Sequence, residues 1–193
     1  KKDIINFSNL KTENFTVNKI NILVLGGSQA AKIFAETLPN IFKKCVDNSM
    51  SLKIFQHCLP EQNEMISAFY KESNIEHEVF NFSNDIMGYF SKVNLAITRS
   101  GSSVLAELTN ANIPFISVPL PSAADNHQYK NALYYENKNF SFLIEEKDLN
   151  EKLLFLLRDI YKNSAILSRI ILNQSQYSDK NVYNNIDQVL EEI

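Results

Sequence analysis

Two rhythms of apolar residues alternate along this chain. Positions 20–25 (INILVL) form a short, nearly continuous apolar run ended by Gly26 and Gly27, the pattern of a strand buried on both faces. Positions 30–44 then carry Ile33, Phe34, Leu38, Ile41 and Phe42 at spacings of three to four, which predicts a helix with one buried face. Pro39 lies inside that helix and predicts a kink or an early end. The same strand-then-helix pair recurs at 51–56 and 61–71, 77–82 and 85–91, 93–98 and 103–110, 114–118 and 126–136, and 140–144 and 148–161. Parallel strands need crossovers of this length, so the pattern predicts an α/β fold: a Rossmann-like parallel sheet with helices on both faces.

The organisation that follows has three parts. Residues 1–18 are polar and read as a linker at the end of a preceding domain, because the sequence lacks an initiator Met and reaches its first strand only near Ile20. Residues 19–163 are the Rossmann-like domain. Residues 164–193 are expected to form a helical tail that either docks on this domain or crosses back to the preceding one.

In an open parallel sheet, ligands bind beyond the carboxyl ends of the strands, so the loops there carry the candidate chemistry. Gly26-Gly27-Ser28-Gln29 makes a sharp turn into a helix that Ser28 could cap, and such a turn offers backbone N–H groups and a positive helix end to phosphate. It is neither a G-x-G-x-x-G fingerprint nor a Walker loop with its Lys, which argues against dinucleotide and NTPase sites. Thr98-Arg99-Ser100-Gly101-Ser102-Ser103 again links a strand to a helix, with Glu107 one turn in, placed to accept hydrogen bonds from two ribose hydroxyls. The loop from Pro119 ends in Asp125-Asn126-His127-Gln128, side chains that pair well with sugar hydroxyls. At Phe82-Ser83-Asn84-Asp85 the backbone could read the edge of a flat base, with Phe82 and Met87 serving the core. Each loop taken singly is equally a plain tight turn with capping residues.

Composition narrows the classes. A chain of 193 residues with 45% hydrophobic and 11% aromatic residues supports one packed core. A net charge of -3 lacks the basic stripe that binds nucleic acid. No apolar run reaches the roughly 20 residues of a membrane-spanning helix, and the polar start is unlike a signal peptide. Cys45 and Cys58 have no CxxC spacing or His cluster, so they are expected to be buried reduced thiols in a reducing compartment, with no metal site.

As an ordered set, GGSQ at 26–29, F-x-x-D-I-M at 82–87, RSG…AEL at 99–108, IPFISVPL at 113–120 and DNHQ-x-x-NA at 125–132 resemble the C-terminal domain of the MurG family of glycosyltransferases, over roughly 20–190. The resemblance implies the C-terminal half of a GT-B fold that binds UDP-N-acetylglucosamine without cofactor or metal. Gly27 and Ser28 would lie against the diphosphate, Ser83 would offer backbone atoms to uracil, and Ser102, Ser103 and Val104 would contact sugar and phosphate. Glu107 would bond the ribose, and His127 and Gln128 would face the sugar hydroxyls, while Arg99 would brace its loop.

The full-length enzyme would be an inverting hexosyltransferase passing N-acetylglucosamine to lipid I, giving lipid II for peptidoglycan, cell shape and division. It would work as a peripheral protein at the cytoplasmic face of the bacterial inner membrane. The acceptor site and general base would belong to the preceding domain, so no catalytic residue is assigned here and this fragment alone is expected to be inactive. Two departures stand out: Ala30 replaces the family's glycine, and Val104 stands where Thr is frequent. Two other readings remain at this level: a free-standing donor-binding subunit of a split glycosyltransferase, and one half of a UDP-N-acetylglucosamine 2-epimerase, which shares the fold.

Overall fold

The computed structural model describes residues 19–27, 32–81 and 86–177. Six parallel strands form one sheet in the order β3-β2-β1-β4-β5-β6. They are β1 (Ile20–Leu25), β2 (Leu52–His57), β3 (Glu76–Phe80), β4 (Leu95–Thr98), β5 (Phe115–Ser117) and β6 (Ser141–Leu143). Between and after them run α1 (Lys32–Asp47), α2 (Pro60–Glu72), α3 (Ile86–Phe90), α4 (Ser102–Asn110), α5 (His127–Asn137), α6 (Leu149–Lys162) and α7 (Ala165–Ser175). This is the doubly wound order of a Rossmann sheet, and its chain reversal falls between β1 and β4.

Strand residues alternate faces, so each strand feeds two cores. Ile20, Ile22 and Val24 of β1 join Ile54, Leu95, Ile97 and Ile116 beneath Phe34, Leu38 and Phe42 of α1 and Leu153 and Leu157 of α6. Leu23, Leu25, Phe55, Ala96 and Phe115 face the other way, against Tyr89 and Phe90 of α3 and Leu105 and Leu108 of α4. Burying one such Leu, Ile or Phe contributes about 1.5–3 kcal/mol, so the two-sided sheet is the main source of stability.

Pro39 does not end α1, which runs on to Asp47. The missing N–H removes one bond to a carbonyl one turn back, and the helix holds through burial of Leu38, Pro39, Ile41 and Phe42 on its inner face. Helix α7, at the start of the expected tail, packs on this domain against α4 and α6: Leu167, Ile170 and Ile171 are buried, and the buried Gln174 Nε2 donates to the carbonyls of Ile113 (3.1 Å) and Phe140 (2.8 Å). The remainder of the tail, 178–193, and the proposed linker, 1–18, lie outside the described residues.

Cys45 and Cys58 are both free and buried. Desolvation pushes the Cys45 thiol up to about 12 and raises that of Cys58, whose upward shift Glu61 reinforces. Neither thiol is expected to react with a disulfide reagent at pH 8 in the native protein, and both are expected to react once urea unfolds it. Rapid labelling of Cys45 without denaturant would contradict this burial.

Candidate functional site

The strand register sets the site. Leu25, Thr98, Ser117 and Leu143 lie side by side across β1, β4, β5 and β6, and His57 pairs with Phe80 across β2 and β3. The loops leaving those residues therefore open at one sheet edge, around a cleft of about 1000 Å³.

Gly26 and Gly27 form the part of the wall above β1. Gly27 has φ +77°, the left-handed region that a side chain resists, while a Cβ there would meet nothing within 4 Å. Its glycine requirement is thus conformational, and the space above it is open cleft. Ser28 lies outside the described residues, as do Ala30 and Ser83.

Above β4 the wall is Thr98, Arg99, Gly101, Val104 and Glu107. Gly101, at φ -68° and ψ 136°, occupies the cap position of α4 without a side-chain bond, so Ser102 and Ser103 are the first helical residues rather than caps. The first backbone bond of the helix runs from Leu105 N to Gly101 O at 3.2 Å. The N–H groups of Ser102, Ser103 and Val104 precede it and have no intrahelical acceptor, which makes this end a site for negative charge. The side chains of Ser102 and Ser103 are exposed and lie outside the wall, whereas Val104 and the half-buried Glu107 belong to it.

Arg99 braces this loop. Its Nη1 donates to the carbonyls of Val118 (3.2 Å) and Pro119 (3.3 Å), and its Nη2 pairs with Glu146 Oε2 at 2.5 Å. The guanidinium also lies 5.0 Å from the ring centre of the buried Phe34. Arg99 thereby ties the ends of β4 and β5 to the segment after β6, and its charge is matched by Glu146.

Gln128 is a second clasp. Its Oε1 accepts from the backbone N–H of Ser100 (3.2 Å) and of Leu120 (3.0 Å), while Asn131 Nδ2 donates to Ser100 O at 3.0 Å. Two N–H donors at the oxygen assign the amide's orientation and leave its NH₂ as the end available to a ligand. Gln128 lines the cleft; His127 does not. His127 is exposed, and its Nδ1 donates to Ala124 O at 2.7 Å. Asp125 does not cap α5: it has φ 49°, inside a short 3₁₀ turn, and Asn126 holds the cap position in left-handed geometry.

The structure thus brings Gly27, Val104, Glu107 and Gln128 to one cleft, with the amides of Ser102 and Ser103 at the helix end beside them. The wall also holds residues that reasoning from the sequence passed over: Lys32, Ile33, Glu36, His57, Ile86, Leu120 and Glu146. His57 and Glu146 follow the same end-of-strand rule that singled out the other loops. Lys32 and Glu36, an i, i+4 pair at 3.5 Å on α1, gave no such signal.

Residues 21–188 match the glycosyltransferase family 28 C-terminal domain. The UDP-N-acetylglucosamine–N-acetylmuramyl-(pentapeptide) pyrophosphoryl-undecaprenol N-acetylglucosamine transferase of Pelagibacter ubique is 37% identical over 94% of this chain and 51% of its own length. The protein of the same name from Rickettsia bellii is 32% identical over 94% of this chain and 52% of its own. The crystal structure of Acinetobacter baumannii MurG superposes with a TM-score of 0.78 and 26% identity, covering 96% of this chain and 55% of that one. The chain spans about half the length of the curated relatives it matches. The Rossmann order, the cleft at the carboxyl edge and a family match running from β1 almost to the end of the chain agree: this chain belongs to the glycosyltransferase family 28 C-terminal domain family.

Proposed function

We propose that this chain is the donor half of an N-acetylglucosaminyltransferase and holds UDP-N-acetylglucosamine in the cleft at the carboxyl edge of its sheet. The observation that carries the reading is the meeting of the open amides at the start of α4 with the Glu107 carboxylate and the Gln128 amide around one cavity. The amides take the diphosphate, together with the Gly26–Gly27 turn. Glu107 accepts from the ribose hydroxyls, and Gln128 presents its NH₂ to the sugar. Ser28 and Ser83 complete the set by family resemblance, as diphosphate and uracil contacts, and His127 borders the sugar end.

In the whole protein, the acceptor hydroxyl of lipid I displaces UDP from the anomeric carbon in one inverting step. The part played here is to stabilise the departing diphosphate with preorganised N–H groups, which act only as negative charge develops. We assign the base that takes the acceptor proton to the portion of the relatives that this chain does not match. An undecaprenol-linked acceptor lies in a bilayer, and among the described residues no helix is long and apolar enough to cross one. We place the whole protein peripherally, at the cytoplasmic face of the inner membrane, supplying the peptidoglycan on which cell shape and division depend. The relatives named above are transferases about twice as long as the matched region, which favours this reading over the epimerase and the free-standing subunit.

Titration with UDP-N-acetylglucosamine is expected to shift the NMR amide signals of Gly27, Ser103 and Glu107. Glu107→Ala is expected to weaken binding about tenfold to thirtyfold, the loss of hydrogen bonds to a charged acceptor. Peaks that stay put at millimolar ligand would refute the reading.

A further inference from the structure

One end of the cleft is left unexplained by the diphosphate, ribose and sugar contacts. It lies where β2 and β3 finish and is lined by His57 and Ile86. The His57 ring rests against Phe80, its ladder partner, with centroids 5.8 Å apart and planes at 33°.

The three histidines of the chain differ in one respect. His77 Nδ1 lies 2.8 Å from the Ile75 carbonyl and His127 Nδ1 lies 2.7 Å from the Ala124 carbonyl. Half-buried His57 has no hydrogen bond to either ring nitrogen among the described residues. A polar ring taken partly out of water with nothing to bond carries a cost that a ligand removes. Burial also lowers the pKa of His57 from its ordinary value, so the imidazole is neutral near pH 7. A neutral ring presents one donor and one acceptor, which suits an uncharged partner better than a diphosphate.

The two ends of the cleft differ in chemistry. Toward β5 and β6 the wall is polar, with Arg99, Gln128 and Glu146. Toward β2 and β3 the described wall residues are His57 and the apolar Ile86, and Phe80 stacks on Tyr89 at 4.4 Å. A nucleotide sugar held by its diphosphate at the start of α4 has a flat heteroaromatic ring at one end and a ring of hydroxyls at the other. The hydroxyls match the polar end and the base matches the apolar one.

We propose that His57 contacts the nucleobase of the donor, a ring nitrogen bonding a polar atom at the edge of the base while Ile86 packs on its apolar surface. The inference rests on the donor-binding reading above and adds a recognition residue to it.

The test uses UDP, pyrophosphate and the chain as wild type, His57→Ala and His57→Phe. Binding is measured by calorimetry, the His57 ring-proton signal by NMR and folding by melting temperature. UDP is expected to move the His57 signal and pyrophosphate to leave it in place. Both variants are expected to weaken UDP about fivefold to tenfold, with unchanged melting temperature for His57→Phe, which keeps a ring against Phe80 but loses the nitrogens. Unchanged UDP affinity in both variants, or a His57 signal indifferent to UDP in a wild-type chain that binds it, overturns the proposal and leaves the donor-binding reading intact. Wild type that binds no UDP at millimolar concentration overturns the donor-binding reading and the proposal with it.

Discussion

Arg99→Ala is expected to lower the unfolding free energy by roughly 2–4 kcal/mol, seen as a drop of about 6–12 °C in melting temperature. The change strands the carbonyls of Val118 and Pro119 and leaves the Glu146 carboxylate without its partner. Breaking a fully buried pair from one side costs about 3–5 kcal/mol. Here the side chains of Arg99 and Glu146 keep 11% and 25% of their exposure, so water recovers part of that loss. Arg99→Lys should recover less than half of the effect, because an ammonium keeps the charge but not the fork or the planar contact with Phe34. Donor binding should weaken along with stability, since the brace sets the shape of the loop before α4. A variant as stable as wild type would mean that the loop holds its shape without the brace.

Gln128→Glu is expected to leave stability within about 1 kcal/mol of wild type while weakening UDP-N-acetylglucosamine about a hundredfold. A carboxylate still accepts from Ser100 N and Leu120 N, so the clasp survives. The NH₂ is lost, and a negative charge now faces the diphosphate in a cleft that already holds Glu146 and Glu107. Gln128→Ala makes the contrast: it releases both backbone N–H groups and should cost stability as well as affinity. Calorimetry and urea unfolding on the two variants separate the roles. Equal affinity in Gln128→Glu and wild type would exclude the amide from sugar recognition.

The inner strands β1, β4 and β5 were readable from the pattern of residues because they are buried on both faces and announce themselves as apolar runs. Ends were harder. The run from 140 to 144 shortens to three paired residues in β6, matching the three residues of its neighbour β5. Pro39 carries the local signal of a helix end, and burial on the inner face of α1 overrides it. Three asparagines serve as helix stops: Asn74, Asn112 and Asn139 all take positive φ just beyond α2, α4 and α5, a post that Gly usually fills. In the site, the glycines and Glu107 were legible through loop position alone. The clasp made by Gln128 was not, because a side chain that holds two distant N–H groups leaves no trace in local spacing. Lys32 and Glu36, which line the cleft from the first turns of α1, read in the sequence only as a solvated i, i+4 pair.

The reversal of the chain between β1 and β4 has an evolutionary consequence. Everything that would read the base hangs from β1, β2 and β3, encoded before residue 91, and the sugar end hangs from β4, β5 and β6, encoded after it. In the proposed reading one stretch of gene meets the base, and the other meets the ribose, the sugar and, at the start of α4, the diphosphate. A lineage can exchange the first stretch and acquire a new base while the second keeps its contacts to ribose, diphosphate and sugar. Drift in base choice can then proceed with the phosphate grip at the start of α4 unchanged.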